Sequence, residues 1–356
     1  METTLFNEEN YLQKYPDVRV AVNNGQFTSG YDHYIKYGKN EGRNCDIDDT
    51  LKKLIIDRQN PDWSNHLTLG GVSEPKIKQI PRMNMYPVPS DFKQIQNIQY
   101  PEGNIIPFER YFEGFFCELL PDTFRTYLPI HWTSYYVNNE YGNNKEGMAK
   151  LQEFINSLPK DQKYFTVIQY DDGILNDISG LDILVYSMGC NKHGYYPIPL
   201  ICQPTNCLPF ELTEKNMLYS FLGADTHPIR EKLVSKLGSD SKNIVSFEKR
   251  SHAEYLNILK RSYFALCPRG YGVASFRMFE AMAYGCIPVY ISDSFWEPFN
   301  MPFTKYGIKI TENEIDSIPN ILSKIDIHKM QSNVKEFYEN YCIYSSCAEN
   351  IIKTLM

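Results

Sequence analysis

The chain has 356 residues, of which 42% are hydrophobic and 22% charged, enough apolar material for two ordinary domains and too much for a disordered chain. Its formal net charge of −7 excludes the broad basic field of a general nucleic-acid binder while leaving room for a local basic pocket. No apolar run approaches the roughly 20 residues that span a bilayer, and the opening METTLFNEEN is acidic and polar, unlike a signal peptide, so a cytoplasmic protein is expected. The 27 tyrosines against 3 tryptophans suit sugar and base stacking, although a compositional bias of the genome explains them more simply. Nine cysteines, at 45, 117, 190, 202, 207, 267, 286, 342 and 347, show neither C-x-x-C spacing nor a dense disulfide framework, and most are expected as buried thiols.

In chain order, residues 5–43 form a compact unit with its own punctuation. Asn7 caps a helix carrying Tyr11, Leu12 and Tyr15, Pro16 opens a second, and 27–30 turns into a third that carries His33, Tyr34 and Tyr37 and ends at Gly38. His33 is a lone histidine on a helix, expected to pack or hydrogen-bond rather than bind metal. Asp46-Ile47-Asp48 is formally a D-x-D metal pattern, but no apolar strand precedes it, so it reads as a solvated helix start. Prolines at 81–89 and 101–107 mark a surface path. The first α/β rhythm comes at 128–133, in a helix at 146–158 and in a strand at 164–170. Asp171-Asp172-Gly173 follows at the carboxyl end of that strand, where open α/β sheets place ligand groups. Residues 183–186 and 198–201 continue the sheet, and 204–209 reads as a hinge.

Residues 262–293, SYFALCPRGYGVASFRMFEAMAYGCIPVYISD, read as one strand–turn–helix–strand unit. Tyr263 to Cys267 is a short apolar run stopped by Pro268, as in a parallel strand covered on both faces. Arg269-Gly270-Tyr271-Gly272 makes a tight turn. Ser275 is the expected cap of a helix with Phe276, Phe279 and Ala283 on one face, ended by Gly285. With about ten helical residues between the strands, the crossover is long enough to be parallel and right-handed. A helix start favours an anion such as a pyrophosphate, and Arg269 and Arg277 add fixed charge. Glu280 lies five residues beyond Ser275, roughly 7–8 Å along a helix, about the reach from a pyrophosphate to a ribose diol. A plain buried βαβ unit with Glu280 paired to Arg277 at i,i+3 is the alternative.

This run resembles the donor-binding signature of exostosin-type glycosyltransferases, glycosyltransferase family 47: Pro-x-Gly, Ser-x-Arg, Glu-Ala and Gly-Cys-Ile-Pro-Val occur together and in order. Residues 221–230, FLGADTHPIR, resemble the segment that opens the same lobe, and 296–299 the family's Pro-Phe turn. The resemblance spans 215–330 and is loose before that. It implies a lobe that binds a nucleotide sugar, with Glu280 on the ribose, Gly270, Gly272, Val273, Ala274, Ser275 and Arg277 about the diphosphate, and Arg230 or Arg269 meeting the remaining phosphate charge. It also implies an Asp-x-Gly-like loop in the first half. The unit at 5–43 resembles short helical modules seen in bacterial surface proteins and beside glycosyltransferases.

The expected architecture is therefore α/β of GT-B type. Two Rossmann-like lobes, an acceptor side at 46–210 and a nucleotide-sugar side at 211–330, face each other; a helical docking module occupies 1–45, and helices at 331–356 return to the first lobe. The expected reaction moves a sugar from a nucleotide-diphosphate donor, a UDP-sugar by preference, to a hydroxyl of a glycan or glycoprotein acceptor. It inverts the anomeric centre and uses no divalent metal or other cofactor. The base must face Glu280 from the first lobe, with Asp172 preferred, Asp171 as its orienter and His131 as the alternative. Two other classes stay open. Gly270-x-Gly272-x-x-Ser275 is a dinucleotide fingerprint lacking its third glycine, as for a nicotinamide-dependent dehydrogenase, and a non-catalytic carbohydrate-binding scaffold would keep the same fold.

Overall fold

The computed structural model describes residues 11–12, 15–24, 26–27, 29–38, 41, 84–94, 98–100, 103–105, 107–119, 121, 123–201 and 208–356. Asn7, the Asp46-Ile47-Asp48 triplet, Cys45, Cys202, Cys207 and most of the 204–209 hinge lie outside them. The chain divides into two compact units, Met1–Ile80 and Pro81–Met356. In the first, α1 (Pro16–Asn23) opens on a proline whose missing N–H is one the first turn leaves unpaired anyway. α2 (Gly30–His33) runs on into a wider turn at Tyr34–Gly38. His33 is buried there, its Nδ1 3.2 Å from the Tyr11 hydroxyl and its ring 4.9 Å from Phe27, so it packs and hydrogen-bonds as a lone helical histidine should.

The second unit begins with a hairpin, β1 (Ile98–Tyr100) and β2 (Gly103–Ile105), followed by α3 (Phe108–Leu119). Phe108, Phe112 and Phe116 recur every four residues and form one fully buried stripe, which is what makes this segment a helix. β3 (Thr126–Tyr127), β4 (Lys163–Ile168), β5 (Asp182–Ser187) and β6 (Tyr195–Pro197) then build a parallel sheet in that order. α4 (Trp132–Asn138) and α5 (Lys145–Ser157) cross between β3 and β4.

One strand expectation needs correcting, and the α/β rhythm at 128–133 resolves into a helix start. Leu128 N–H still reaches Phe165 O at 2.8 Å, but Trp132 opens α4, drawn in by its indole N–H bond to Thr166 Oγ1 at 2.8 Å. The last strand of this sheet is 195–197 rather than 198–201: Pro199 has no N–H for a ladder, and Ile201 N–H turns back onto the Pro199 carbonyl.

The second sheet contains β7 (Met217–Leu222), β8 (Ile244–Ser246), β9 (Ser262–Pro268), β10 (Ile287–Ile291) and β11 (Ile308–Ile310), all parallel, in the order β8-β7-β9-β10-β11. α6 (Pro228–Leu237) joins β7 to β8, α7 (His252–Arg261) joins β8 to β9, and α8 (Phe276–Met282) joins β9 to β10. The chain starts at β7, steps outward to β8 and then crosses to the other side at β9. The order thus reverses between β7 and β9, the switch point outside whose strand ends open α/β sheets place their ligands. α8 has seven residues rather than about ten, and every one from Arg277 to Met282 is buried. Gly285, at φ 64°, takes the left-handed conformation that turns the chain from α8 into β10.

Two parallel α/β lobes thus make up the second unit, the GT-B arrangement. α9 (Ile318–Leu322) and α10 (Ile327–Phe337) finish the second lobe. α11 (Tyr344–Lys353) lies on the first lobe, with the Tyr344 ring 5.3 Å from Phe108 and 4.9 Å from Tyr111, and Thr354 Oγ1 2.5 Å from the Tyr186 hydroxyl. Burying one such side chain stabilises by about 1.5–3 kcal/mol, so the last helix belongs to the first lobe's core. Cys190, Cys267, Cys286, Cys342 and Cys347 are buried free thiols and Cys117 is exposed. Among the described residues no helix is long and apolar enough to cross a membrane.

Candidate active site between the lobes

Two buried arginines stand at the switch point of the second lobe, bonded to carbonyls at the ends of β7 and β9. Pro228 starts α6, and the His227 imidazole caps it by accepting from Ile229 N–H at 3.3 Å, which puts Arg230 in the first turn. Only 9% exposed, Arg230 reaches back across the point where the strand order reverses: Nε donates to Arg269 O at 2.9 Å, Nη1 to Ala224 O at 2.9 Å and Nη2 to Pro268 O at 3.4 Å. Arg277, 8% exposed in the first turn of α8, lies 4.7 Å over the Phe221 ring, and Arg230 lies 5.9 Å from the same ring. Arg277 Nη2 donates to Leu222 O, while its Nε is buried with no hydrogen-bond partner.

Among the described residues, every hydrogen bond these two guanidiniums make goes to a backbone carbonyl, and none to a carboxylate. Burial first, and then repulsion from Arg277, pushes Arg230 down to about 10. Glycines make the room. A Cβ on Gly223 would stand 2.6 Å from Arg277 Nη2, and one on Gly270 2.9 Å from Arg230 Nη2. Arg269 is different: it is paired with Asp293 at 2.7 Å and holds that carboxyl below its usual range. Of the two arginines put forward for the remaining phosphate charge, Arg230 is thus held by carbonyls and Arg269 by a carboxylate.

Ser275 occupies the N-cap position of α8 with extended backbone (φ −142°, ψ 129°), but its side chain makes no capping bond. The preceding turn is fixed from below, with Ala274 buried and the Val273 carbonyl accepting from the Tyr290 hydroxyl at 2.6 Å. Glu280 is 1% exposed, and its Oε2 accepts from the Tyr255 hydroxyl at 2.8 Å. Burial, then the Glu280 charge, pushes the Tyr255 phenol well up. Arg277 also lies 5.8 Å from the Tyr255 ring, so Phe221, Tyr255, Arg277 and Glu280 form one buried cluster.

Across the cleft, the loop after β4 brings Asp171 and Asp172 against the turn after β9. A Cβ on Gly272 of the second lobe would stand 2.7 Å from Asp171 Oδ1, and one on Gly189 of the first lobe 2.8 Å from the same atom. The Asp171 carboxyl is therefore slotted between glycine backbones from both lobes. It is open to solvent but flanked by protein, and partial desolvation, followed by the neighbouring Asp172 charge, raises it to about 6. Asp172 accepts from the Tyr271 hydroxyl at 3.0 and 3.3 Å.

His131 belongs to another network. It is 4% exposed, its Nε2 is 2.7 Å from Glu113 Oε2, and Lys93 takes Oε1 of the same carboxylate at 2.5 Å. The structure thus brings Asp171 and Asp172 to the turn after β9, and no hydrogen bond or ion pair joins His131 to them.

A carboxylate missed in the sequence holds the aspartate loop in place. Glu109, fully buried on α3, accepts through Oε1 from Gln169 N–H at 3.1 Å, from Thr133 N–H at 3.2 Å and from the Thr133 hydroxyl, and burial raises its pKa. Gln169 answers by accepting from Phe108 N–H at 2.8 Å. Glu109 follows the first residue of the Phe108, Phe112, Phe116 stripe, a spacing legible in the sequence. Tyr255 and Tyr271 were also missed, and only the fold reveals them. Among the described residues, no three His, Cys, Asp or Glu side chains are grouped to hold a metal ion.

Comparison with known proteins bears on the same region. Residues 197–325 match the Exostosin GT47 domain. A probable glycosyltransferase of Arabidopsis thaliana is 26% identical over 200 residues, 55% of this chain and 36% of its own length. An exostosin-1 homolog of Caenorhabditis elegans is 34% identical over 93 residues, 25% and 24% of the two chains. A probable glucuronosyltransferase of Oryza sativa subsp. japonica is 38% identical over 77 residues, 21% and 18%. The chain thus spans 36% or less of the length of these curated relatives. Among solved structures, it is similar to WaaG, a glycosyltransferase involved in lipopolysaccharide biosynthesis, at 11% identity over 61% of this chain and 83% of that one, with a TM-score of 0.36. The stretch that matches the exostosin-type GT47 domain, residues 197–325, carries Arg230, Arg269, Arg277 and Glu280.

Proposed function

We propose that this protein is a glycosyltransferase that moves a sugar from a nucleoside-diphosphate donor, a UDP-sugar by preference, to a glycan hydroxyl, with inversion and without a divalent metal. One observation carries the reading: among the described residues, Arg230 and Arg277 are buried side by side with only carbonyl hydrogen-bond partners. Two desolvated like charges are costly to a fold, and the buried Glu280 carboxylate in the same cluster offsets only one of them, so a bound anion would complete the pair. A diphosphate at the switch point between β7 and β9 supplies that anion. Glu280, one turn along α8, takes the ribose hydroxyls in place of the Tyr255 phenol.

The sequence preferred Asp172 as base, but the geometry favours Asp171. A carboxyl raised to about 6 suits proton abstraction near neutrality, and it touches the Gly272 turn beside the proposed donor. Asp172, held by Tyr271, becomes the orienting partner. Asp171 takes the acceptor hydroxyl proton, the hydroxyl oxygen attacks the anomeric carbon, and the bond to the diphosphate breaks on the opposite side. Arg230 and Arg277 then meet the charge that develops on the leaving oxygen. The glucuronosyltransferase name borne by a rice relative makes UDP-glucuronic acid the first donor to try.

A thermal-shift screen over UDP, GDP, CMP and NAD tests the donor class, because a ligand at 100 times its Kd stabilises by about 2.7 kcal/mol. UDP is expected to raise the melting temperature most. A shift with NAD and none with UDP would return the Gly270-x-Gly272 turn to the dehydrogenase reading.

A further inference from the structure

The turn that follows α4 is strained without serving the core. Glu140 and Tyr141 both adopt left-handed backbone (φ 55° and 57°), and Gly142 follows at φ 87°. Such a conformation is disfavoured for residues with a Cβ and persists only where the surroundings impose it. Here they do. Asn143 Nδ2 donates to Glu140 O at 2.8 Å, Gly142 N–H donates to Asn139 O at 2.9 Å, and a Cβ on Gly142 would stand 2.4 Å from Leu175 Cδ1. The outcome is a Tyr141 ring left 65% exposed.

Behind it stands Tyr170, the residue before Asp171, whose hydroxyl donates to Tyr141 O at 3.4 Å. The Tyr170 ring lies 5.3 Å from the buried Tyr136, whose own hydroxyl accepts from Leu175 N–H at 3.0 Å. Tyr170 is thus braced from inside. Burial first, and then the charge of Asp172, raises its phenol. Tyr271, 70% exposed, comes to this place from the second lobe.

We propose that Tyr141, Tyr170 and Tyr271 form an aromatic shelf beside Asp171 and Asp172 that holds an oligosaccharide, the acceptor chain of the transfer proposed above. A pyranose offers a C–H face and a rim of hydroxyls. Exposed phenol rings take the face, and the adjacent carboxylates and phenol oxygens take the rim. The inference rests on the glycosyltransferase reading for the word acceptor, but not for the binding itself, which needs no nucleotide.

The test therefore measures saccharide binding by the full chain without donor. Fluorescently labelled protein is applied to an array of neutral and acidic oligosaccharides, and the glycans retained are titrated in solution. The parent is expected to bind at least one oligosaccharide. Tyr141→Ala and Tyr271→Ala are each expected to weaken it by at least about tenfold, with UDP binding unchanged in Tyr141→Ala. Retention of no glycan by a parent that binds UDP would overturn the shelf. So would alanine variants that bind as tightly as the parent. If a glycan binds through these tyrosines and UDP does not bind, the donor reading fails and the shelf stands.

Discussion

The Tyr271 hydroxyl, on the turn after β9, donates to both oxygens of Asp172, on the loop after β4, at 3.0 and 3.3 Å. This bond ties the second lobe to the first directly over the cleft. Tyr271→Phe removes the donor and keeps the ring, so the lobes should part more often. Small-angle scattering is expected to show a larger radius of gyration, and hydrogen exchange is expected to quicken at 169–173 and 269–273, with little change in melting temperature because the bond is exposed to water. Identical scattering and exchange would mean that packing alone holds the lobes.

Arg277→Met tests the buried charge. The substitution relieves the repulsion on Arg230 but takes a positive charge from the cluster that holds the buried Glu280, so the two effects oppose each other and the free protein should melt close to the parent. Nucleoside-diphosphate affinity should fall by about 1.5–3 kcal/mol, the size of a hydrogen bond to a charged group. Calorimetric titration with UDP, beside the melting curve, checks both expectations. A strongly destabilised variant that still binds UDP normally would make Arg277 a structural residue.

Glu280→Gln addresses the ribose. Glutamine still accepts from Tyr255 but gives up the charge, so the fold should hold while UDP binds about 1.5–3 kcal/mol more weakly. The sharper reading compares UDP with 2′-deoxy-UDP. The parent should prefer the ribose form and the variant should not. Equal preference in both would place the sugar hydroxyls elsewhere.

The pH dependence follows from Asp171, whose folded carboxyl sits near 6, above its unfolded value. A raised carboxyl stabilises the fold only while protonated; that contribution is complete below the unfolded value and is lost as pH rises through about 6. Asp171→Asn should therefore melt higher than the parent at pH 8 and close to it at pH values below the carboxylate range. Turnover of the parent should fall below about pH 6 with a slope of one proton. In the variant it should drop by about a hundredfold or more at every pH, with UDP affinity unchanged. A parent profile that is flat through that range would exclude Asp171 as the base.

The unit from β9 to β10 was legible because its signals are local: an apolar run stopped by Pro268, a glycine turn, and Gly285 where the chain must go left-handed. The strand before Asp171 was legible for the same reason. α3 was missed although Phe108, Phe112 and Phe116 carried its period, because the prolines before it drew attention to a linker. The arginine pair of the second lobe was only half visible. Arg230 and Arg277 are 47 positions apart, and whether each meets a carboxylate depends on strand order, which no local pattern records. Glu109 and Tyr271 act through contacts with Gln169 and Asp172, 60 and 99 residues away in sequence. A charged residue beside an apolar stripe and a tyrosine between glycines look like surface until the sheets are assembled.

The most direct measurement is the release of UDP from UDP-sugars, UDP-glucuronic acid first, by the full chain in the presence of EDTA and with or without oligosaccharide. Slow release from at least one donor is expected, accelerated by an acceptor glycan and lost in both Arg277→Met and Asp171→Asn. No release from any UDP-sugar, or release equal in the parent and in both variants, would contradict a transfer reaction seated between Arg277 and Asp171.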